Sequence, residues 1–388
     1  VITLTQGSGA NVILAAGVTK MIYADGAGSG AALTDALVGL EVGTTLYVKN
    51  AGTGDDSTAQ LFLQTAESDI QANDVLGKIN FQAPNEGTGT DAILVAAAIQ
   101  AKSEGDFSSS SNATSLEFMT GASEAATSKF VIASDGSLST PTAGTSNVRF
   151  GVNAGNSIAS GGNYNVTIGD EAGTALTTGD SNVAVGFEAL KTEDAHGFNT
   201  AVGYQALKTL NAGEDGYNTA IGYISGTALT TGVANNIIGG LAGDSLTTGS
   251  YNQVMGVAAL DADTQGSRAV AIGHGALGTQ NFTTATDNYN IAIGHNAGLS
   301  VTTGTANTLI GGQAGDALTT GYDNVALGYN ALSSDDVGAR AVAVGREALN
   351  QQNFSTATQS VNVAVGYRAG YSVTTGVANT FIGGHAGD

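Results

Sequence analysis

The sequence contains no cysteine, no tryptophan, only 2 prolines, and few charged residues (12%) among its 388 positions. The lack of cysteine excludes a disulfide framework and thiol catalysis. We find no signal peptide and no apolar run near the roughly 18 residues of a membrane-spanning helix. Lys and Arg total 12 against 33 acidic residues, a net charge of −21. This balance disfavours nucleic acid as a partner, because phosphate binding requires basic clusters.

What the sequence has in abundance is glycine, 57 residues, arranged in a repeat. From about residue 147 onward the pattern is Asn, two small or β-branched residues, an apolar residue, then Gly. Nine of the thirteen intervals between these anchor glycines are 17 residues long, and Ala stands three residues after the anchor in thirteen of fourteen cases. One short strand per repeat, stacked on its neighbours, predicts a solenoid. The anchors are Gly151, Gly169, Gly186, Gly203, Gly222, Gly239, Gly256, Gly273, Gly294, Gly311, Gly328, Gly345, Gly366 and Gly383.

A second level of order spans four coils. The string IGGLAGDSLTTG at 238–249 returns as IGGQAGDALTTG at 310–321, which is 72 residues later. Coils of 17, 17, 21 and 17 residues make up this superperiod, and the longest carries an insertion, QNFTTAT (280–286) and QNFSTAT (352–358). Duplication of a four-coil block explains the echo.

Within each strand we assign the apolar residue before the anchor to the core, as at Val185, Val202 and Ile221, and the Asn residues to an amide ladder. The small residues after the anchor are expected to form a corner and a second short strand. The alternate strand face then carries a column of alanines that suits close approach of another chain. We therefore predict that Ile293→Asp disrupts the core and that Ala292→Asp mainly disrupts association. The column comprises Ala184, Ala201, Ala220, Ala271, Ala292, Ala326, Ala343 and Ala364.

Residues 1–146 lack this repeat and are predicted to be rich in β-strands. A helix remains an alternative for 91–102, where Ala and Gln are frequent. Turns are expected at Asp25–Gly26 and Asp135–Gly136. The predicted strands are VITLTQG (1–7), TKMIYADG (19–26), LFLQTAE (61–67), GKINFQAP (77–84), DAILVAAAIQAK (91–102), SLEFMTG (115–121) and KFVIASDGSLST (129–140).

We divide the chain into an N-terminal β-rich segment (1–48), a β-sheet-rich module (49–144) and a solenoid of about 14 coils (145–388). Because the sequence begins with Val1 and ends inside a repeat, we expect it to be part of a longer polypeptide.

The repeat N-x-A-[VI]-G, followed by Ala, resembles the head repeats of trimeric autotransporter adhesins. Units such as NTAVGYQAL (199–207) and DNVALGYNAL (323–332) resemble bacteriophage tail fibres, as do residues 74–105 and 116–140. The resemblance covers nearly the whole chain. It implies an all-β, left-handed parallel β-roll assembled as a parallel homotrimer, often followed by a C-terminal chaperone domain that is cleaved off.

No catalytic constellation is predicted. Glycine strings lack the Lys and Ser/Thr of a phosphate loop. Paired carboxylates of the kind that cleave glycans are sought at Asp170–Glu171, Glu193–Asp194, Glu214–Asp215 and Asp335–Asp336, all of which are interpreted as solvated turn residues. Calcium at Asp244, Asp316 and Asp388 is a minor alternative to solvated corner carboxylates. No cofactor and no metal ion are assigned.

The residues directly after the anchors form a column that includes aromatic rings and two histidines. Contact with a receptor or glycan is considered for this column, against edge packing or packing between chains; a metal at the two histidines is less favoured than a solvated position. The candidate contact residues are Tyr204, Tyr223, His274, His295, Tyr329 and Tyr367.

These features favour a non-enzymatic structural fibre of a phage tail that reaches toward a host-surface receptor. Its expected partners are further copies of itself, other virion tail proteins and a host-surface glycan or protein. A bacterial trimeric surface adhesin and a polysaccharide-degrading tailspike are the alternatives.

Overall fold

In the computed structural model, the described residues are four short strands within the first 35 residues, and then 59–82, 94–121 and 124–388. The chain divides into two units, Val1–Ala66 and Glu67–Asp388. The first unit contains two antiparallel pairs, β1 (Ile2–Leu4) with β2 (Val12–Leu14), and β3 (Ile22–Ala24) with β4 (Leu33–Asp35). The predicted turn at Asp25–Gly26 lies outside the described residues. All described elements are strands, bridges, turns and bends, without a helix.

The second unit begins with a five-stranded antiparallel sheet in the order β5-β6-β7-β8-β9. Its strands are β5 (Val75–Gln82), β6 (Val95–Ser103), β7 (Thr114–Thr120), β8 (Thr127–Ile132) and β9 (Leu138–Ser139).

Most sequence predictions for this sheet are confirmed. Residues 95–103 form a strand and not a helix, because the segment pairs with β-branched and aromatic strands on both sides. The hairpin at Asp135–Gly136 is present, with Gly136 at φ +84° and the Ala133 carbonyl accepting the Gly136 N–H at 2.9 Å. The predicted strand at 61–67 is wrong: this segment forms no ladder, and Leu61 and Phe62 are 60% and 79% exposed.

The solenoid is a single parallel sheet of fourteen strands, each three residues long, stacked in register. Successive strands align so that Ala184 pairs with Ala201 and Val185 with Val202, which confirms the coil period. The strands are Val148–Phe150, Val166–Ile168, Val183–Val185, Thr200–Val202, Thr219–Ile221, Asn236–Ile238, Gln253–Met255, Val270–Ile272, Ile291–Ile293, Thr308–Ile310, Val325–Leu327, Val342–Val344, Val363–Val365 and Thr380–Ile382.

A second strand per coil is found only in part. Among the described coils, two-residue strands pair at Gly266–Ser267 with Thr286–Asp287, and at Gly338–Ala339 with Thr358–Gln359. Both pairs involve the long coils that carry the insertion. Elsewhere turns close the coil, so the expectation of a general second strand is wrong.

The inside and outside of the strands are the reverse of the sequence prediction. The alanine column is the interior: Ala184, Ala201 and Ala292 are 0% exposed. The apolar residues before the anchors point outward, and Ile221 and Leu327 are 40% and 43% exposed. The cause is steric. Leucines from the turns already fill the coil, which leaves room at the strand centre for little more than a methyl group in most coils.

Two further columns complete the interior. Alanine three residues after the anchor is fully buried, as at Ala189 and Ala206. The residues seven after the anchors form what we call the plus-seven column, mostly Leu but interrupted by polar residues. Its members are Ile158, Leu176, Glu193, Leu210, Leu229, Leu246, Asp263, Gln280, Val301, Leu318, Asp335, Gln352 and Val373. Twelve of these thirteen are buried.

The predicted asparagine ladder is confirmed and lies inside the coil. Asn235 Oδ1 accepts the Asn252 backbone N–H at 3.0 Å and its Nδ2 at 3.1 Å. Asn235 Nδ2 donates to the Gly249 carbonyl at 2.9 Å. Each amide therefore ties its own strand to the next coil and to a turn, and satisfies backbone groups that are cut off from water.

The anchors require glycine for two reasons. At Gly186 φ is +131°, which L-residues other than glycine rarely adopt. A Cβ at Gly186 would also lie 2.7 Å from the carbonyl carbon of Gly203. Because each anchor sits directly on the next, any side chain there would separate two coils.

Candidate functional site

The most extensive candidate surface is the outer face of the fourteen-stranded sheet. Along this face, which we call the outer stripe, run the apolar residues that precede the anchors. Exposure is 38% at Ile168, 46% at Met255 and 38% at Val365, although all are large hydrophobics. The stripe consists of Phe150, Ile168, Val185, Val202, Ile221, Ile238, Met255, Ile272, Ile293, Ile310, Leu327, Val344, Val365 and Ile382.

The first strand position adds β-branched side chains to the same face, for example Val183, Thr200 and Thr219. Because every strand is in register with the next, these side chains form continuous columns. Valine, isoleucine and threonine on a flat, unpaired face are suited to packing against another protein surface.

The six candidate contact residues all lie beside this stripe, directly after the anchors, and are exposed. Their rings stack on one another along the column: Tyr204 and Tyr223 have centroids 5.3 Å apart, and His274 and His295 5.4 Å. Arg346 lies 5.5 Å above the Tyr329 ring, and Tyr367 meets His385 edge-on at 5.1 Å. The rings of each stacked pair cover one of each other's faces, so edges and the ends of stacks are what they offer to a ligand. Their contact role stays a prediction.

A second aromatic column, which sequence reasoning missed, flanks the other side of the strands. Phe198 and Tyr217 stack at 5.0 Å, almost coplanar at 2°. Arg268 lies 4.9 Å from the Tyr251 ring and forms an ion pair with Asp287 at 3.0 Å. The signal was available in the sequence, because these residues directly precede the ladder position, which Asn occupies in all but two coils, and so recur with the coil period.

The five-stranded sheet has an uncovered apolar face of its own. Ile79, Ile99, Phe118 and Phe130 pair across four strands and therefore point to one side. Ile79 is 42% and Phe118 37% exposed. The opposite side carries buried polar residues, where Gln100 Nε2 donates to Glu117 at 2.8 Å.

The carboxylates interpreted as solvated turn residues include two that are not solvated. Glu193 and Asp335 are 0% exposed, as is Asp263; burial raises the pKa of all three carboxyls. They belong to the plus-seven column and point into the coil, so they are not arranged as a pair across an open groove.

Other acids lie at the surface corners. Asp244 and Asp316, weighed above for calcium, are half-buried, and burial raises the pKa of both. Asp388 forms a 2.8 Å ion pair with His385. Glu188 is paired with Lys191 and Lys208, each at 2.6 Å, and the hydrogen bond from Lys191 is the main reason that its pKa falls to about 2.

A small open cleft of about 190 Å³ lies where the antiparallel sheet meets the first coil. Lys129, Thr140, Pro141 and Arg149 line it. Arg149 Nε donates to the Ala154 carbonyl at 2.6 Å, so this guanidinium is already engaged in holding the first turn.

No helix among the described residues has the length and apolar character needed to cross a bilayer. Comparison of the chain with protein-family models, with curated proteins and with solved structures found no match in any of the three.

Proposed function

We propose that this chain is a structural fibre protein of a phage tail, assembled as a parallel homotrimer and extended toward a host-surface receptor. The single observation that supports it best is the outer stripe, an apolar face that runs the length of the solenoid without a covering layer in the chain itself. The occupants we assign to it are two further copies of the same chain.

The size of the face supports this assignment. Fourteen strands at a spacing of roughly 4.8 Å, each roughly 10 Å long, cover roughly 670 Å². The largest apolar patch on a typical monomer is about 300–600 Å². A specific interface buries about 800 Å² per partner, which the stripe approaches before the flanking aromatic columns are added.

Register explains why identical copies are suitable partners. The stripe repeats with the coil, so an identical parallel chain presents the same side chain at every level. Three stripes that meet along a common axis would bury Val, Ile and Leu against one another. The apolar face of the five-stranded sheet would be covered by the same association, since it too is exposed in the isolated chain.

The fibre role follows from the shape of the repeat together with the resemblance given above. Fourteen stacked coils make a solenoid roughly 65 Å long at strand spacing. The interior is filled with Ala, Leu and Asn and leaves no room for a substrate, so recognition has to occur on exposed side chains. This favours a rod that carries or forms an attachment surface.

Native mass tests the assembly. The purified chain is expected to have a mass of three times 38.3 kDa by light scattering. Ile293→Asp should shift the mass toward the monomer and keep the β-sheet circular dichroism, because Ile293 lies on the outer stripe. Asp287→Ala, an exposed and conservative change in the long coil, is the matched control and should remain trimeric. A monodisperse wild-type monomer would rule out the assembly.

Antibody labelling tests the role. Antibodies raised against the chain should label the tails of phage particles from the same source in negative-stain electron microscopy. Labelling confined to the surface of phage-free bacterial cells would instead support the adhesin alternative.

A further inference from the structure

Three carboxylates stand at equivalent positions inside the solenoid, each seven residues after an anchor: Glu193, Asp263 and Asp335. Each accepts backbone N–H groups from its own corner and from the next coil. For Asp263 these donors are Gly266 and Phe282, both at 3.0 Å. For Glu193 they are His196 at 3.2 Å and Ala212 at 3.1 Å.

Two of the three carboxylates receive a further donor from the plus-seven column. Gln280 Nε2 donates to Asp263 at 2.6 Å, and Gln352 Nε2 donates to Asp335 at 2.6 Å. Glu193 has no such donor, because its neighbours in the column are Leu176 and Leu210. It is therefore a fully buried carboxylate with one donor fewer than its two counterparts.

The corner itself supplies a different group at Glu193. Asp263 and Asp335 are each followed three residues later by glycine, and a Cβ at Gly266 or Gly338 would collide with the carboxylate. At Glu193 the same position is His196, whose Nδ1 lies 3.3 Å from Glu193 Oε1. That nitrogen is buried and makes no hydrogen bond of acceptable geometry, which leaves its lone pair or proton without a partner.

Asp194 completes a cluster. One ligand atom from each of Glu193, Asp194 and His196 lies within 4.8 Å of the other two, and no other such trio of metal-ligating side chains occurs among the described residues. The loop is held in an acidic setting, since Asp215 Oδ1 accepts the Gly197 N–H at 3.1 Å.

We propose that Glu193, Asp194 and His196 bind a first-row divalent cation, for which Zn²⁺ is the representative. An imidazole nitrogen with two carboxylate oxygens is a donor set that zinc accepts, with metal–ligand distances of about 2.0–2.2 Å. Ligand atoms around such an ion are about 3.3 Å apart, so the half-exposed Asp194 side chain has to move inward by about 1 Å. Water on the exposed side of His196 supplies the remaining ligands. In this corner the cation takes the place that a glutamine amide holds in the two others.

The consequence is local reinforcement of the first four-coil block. Asp194 also accepts the Thr177 N–H of the preceding coil through its backbone carbonyl at 2.6 Å, and Glu193 accepts from Ala212 of the following coil. A cation bound between Glu193 and Asp194 therefore links contacts to three successive coils. Binding to the folded state alone raises its stability as the free metal concentration exceeds Kd.

The test is metal titration of the full chain after treatment with chelator. We expect one Zn²⁺ per chain by native mass spectrometry and calorimetry, together with a higher Tm when zinc is in excess. His196→Gln and Asp194→Asn should each weaken zinc binding at least tenfold. Both residues are half-exposed, so both variants should keep the wild-type circular dichroism without metal, which separates loss of the site from loss of the fold.

Two controls locate the binding. Asp336→Asn changes the residue that corresponds to Asp194 in a corner already supplied by Gln352, and should retain zinc binding. The double variant His274→Gln/His295→Gln removes the exposed stacked histidines and should also retain it. If the wild-type chain takes up no zinc at a millimolar concentration, or if the stacked histidines carry the binding, the proposal is overturned.

Discussion

The five-stranded sheet and the solenoid are both made of strands, but they bury opposite kinds of side chain. In the solenoid the interior is Ala, Leu and hydrogen-bonded Asn, as at Ala292, Leu277 and Asn235, all at most 1% exposed. In the sheet the buried positions include Gln100 and Glu117, and the aromatic Phe118 remains 37% exposed. Each solenoid coil completes a core with its neighbours in the same chain, whereas the sheet does not.

This difference indicates how each region gains its stability. A solenoid is stabilised by contacts between adjacent repeats, so one chain is sufficient for its core. The apolar side of the sheet has to be covered by other protein, and the trimer proposed above would do this. Substitutions inside the solenoid should therefore act on the chain, and substitutions on the sheet face should act on the assembly.

The largest effect is expected from Ala292→Asp. Ala292 is 0% exposed and lies in register between Ala271 and Leu309. An unpaired carboxylate has no room and no donor there, and its burial costs several kcal/mol. We expect loss of the solenoid by circular dichroism, whereas Ile293→Asp on the outer stripe keeps it. Similar unfolding in both variants would contradict the assignment of inside and outside.

Phe118→Ser should act on the other region. Phe118 packs against Phe130 with ring centroids 5.9 Å apart, on the exposed apolar face. In a trimer that covers this face, the change removes about 1–3 kcal/mol of apolar burial per chain. Calorimetry should show an earlier transition for the sheet and an unchanged one for the solenoid. Phe62→Ser, at a position 79% exposed, serves as the matched control and should leave both transitions in place.

Asn235→Ala should have an intermediate effect within the solenoid. The change leaves the Asn252 N–H and the Gly249 carbonyl without their partner, at a cost of about 1–3 kcal/mol for each unsatisfied group. The neighbouring Asn236→Ala is the control. Asn236 points outward, and its Nδ2 contacts Gln253 only at 3.4 Å. Urea midpoints should therefore fall clearly for the first variant and little for the second.

The sequence was sufficient for the period, the number of coils, the four-coil block and the amide ladder, because all of these repeat identical residues at fixed spacing. It was insufficient for the strand phase, since residue size favoured Val and Ile inside. A decisive signal was nevertheless present: Asn182 and Ala184 are two residues apart and share one strand face. If the ladder is internal, the alanines are internal as well.

The zinc corner was out of reach for a different reason. Glu193 and Asp194 look like two turn residues in the sequence. Only the structure shows that Glu193 enters the leucine column and that His196 takes the place of a sterically required glycine. The exposed contact column at Tyr204 and Tyr223 followed from the period alone, but its stacking depends on ring orientation, which the sequence does not determine.

The smallest expected effect is a pH dependence that has opposite signs in the two regions. Burial raises the pKa of Asp263, Asp335 and Glu193 inside the solenoid above their unfolded values. Such groups bind protons more tightly when folded. The stability they add is fully present below their unfolded pKa values and is lost as the pH rises through the folded values. In the sheet, hydrogen bonds from Ser137 lower the pKa of Asp135, so its contribution is lost as the pH falls.

Thermal unfolding between pH 8 and pH 4 should therefore show the Tm of the solenoid transition rising as the pH falls, and that of the sheet transition unchanged or falling. Release of the general repulsion from the net charge of −21 acts in the same direction as the buried acids, so a variant is needed to separate the two. Asp263→Asn/Asp335→Asn removes two of the three interior groups and leaves most of the net charge. The double variant should have a lower solenoid Tm at every pH, because an amide NH₂ then faces N–H donors, and a flatter slope against pH. An unchanged slope would assign the effect to net charge and leave the interior carboxylates without a part in it.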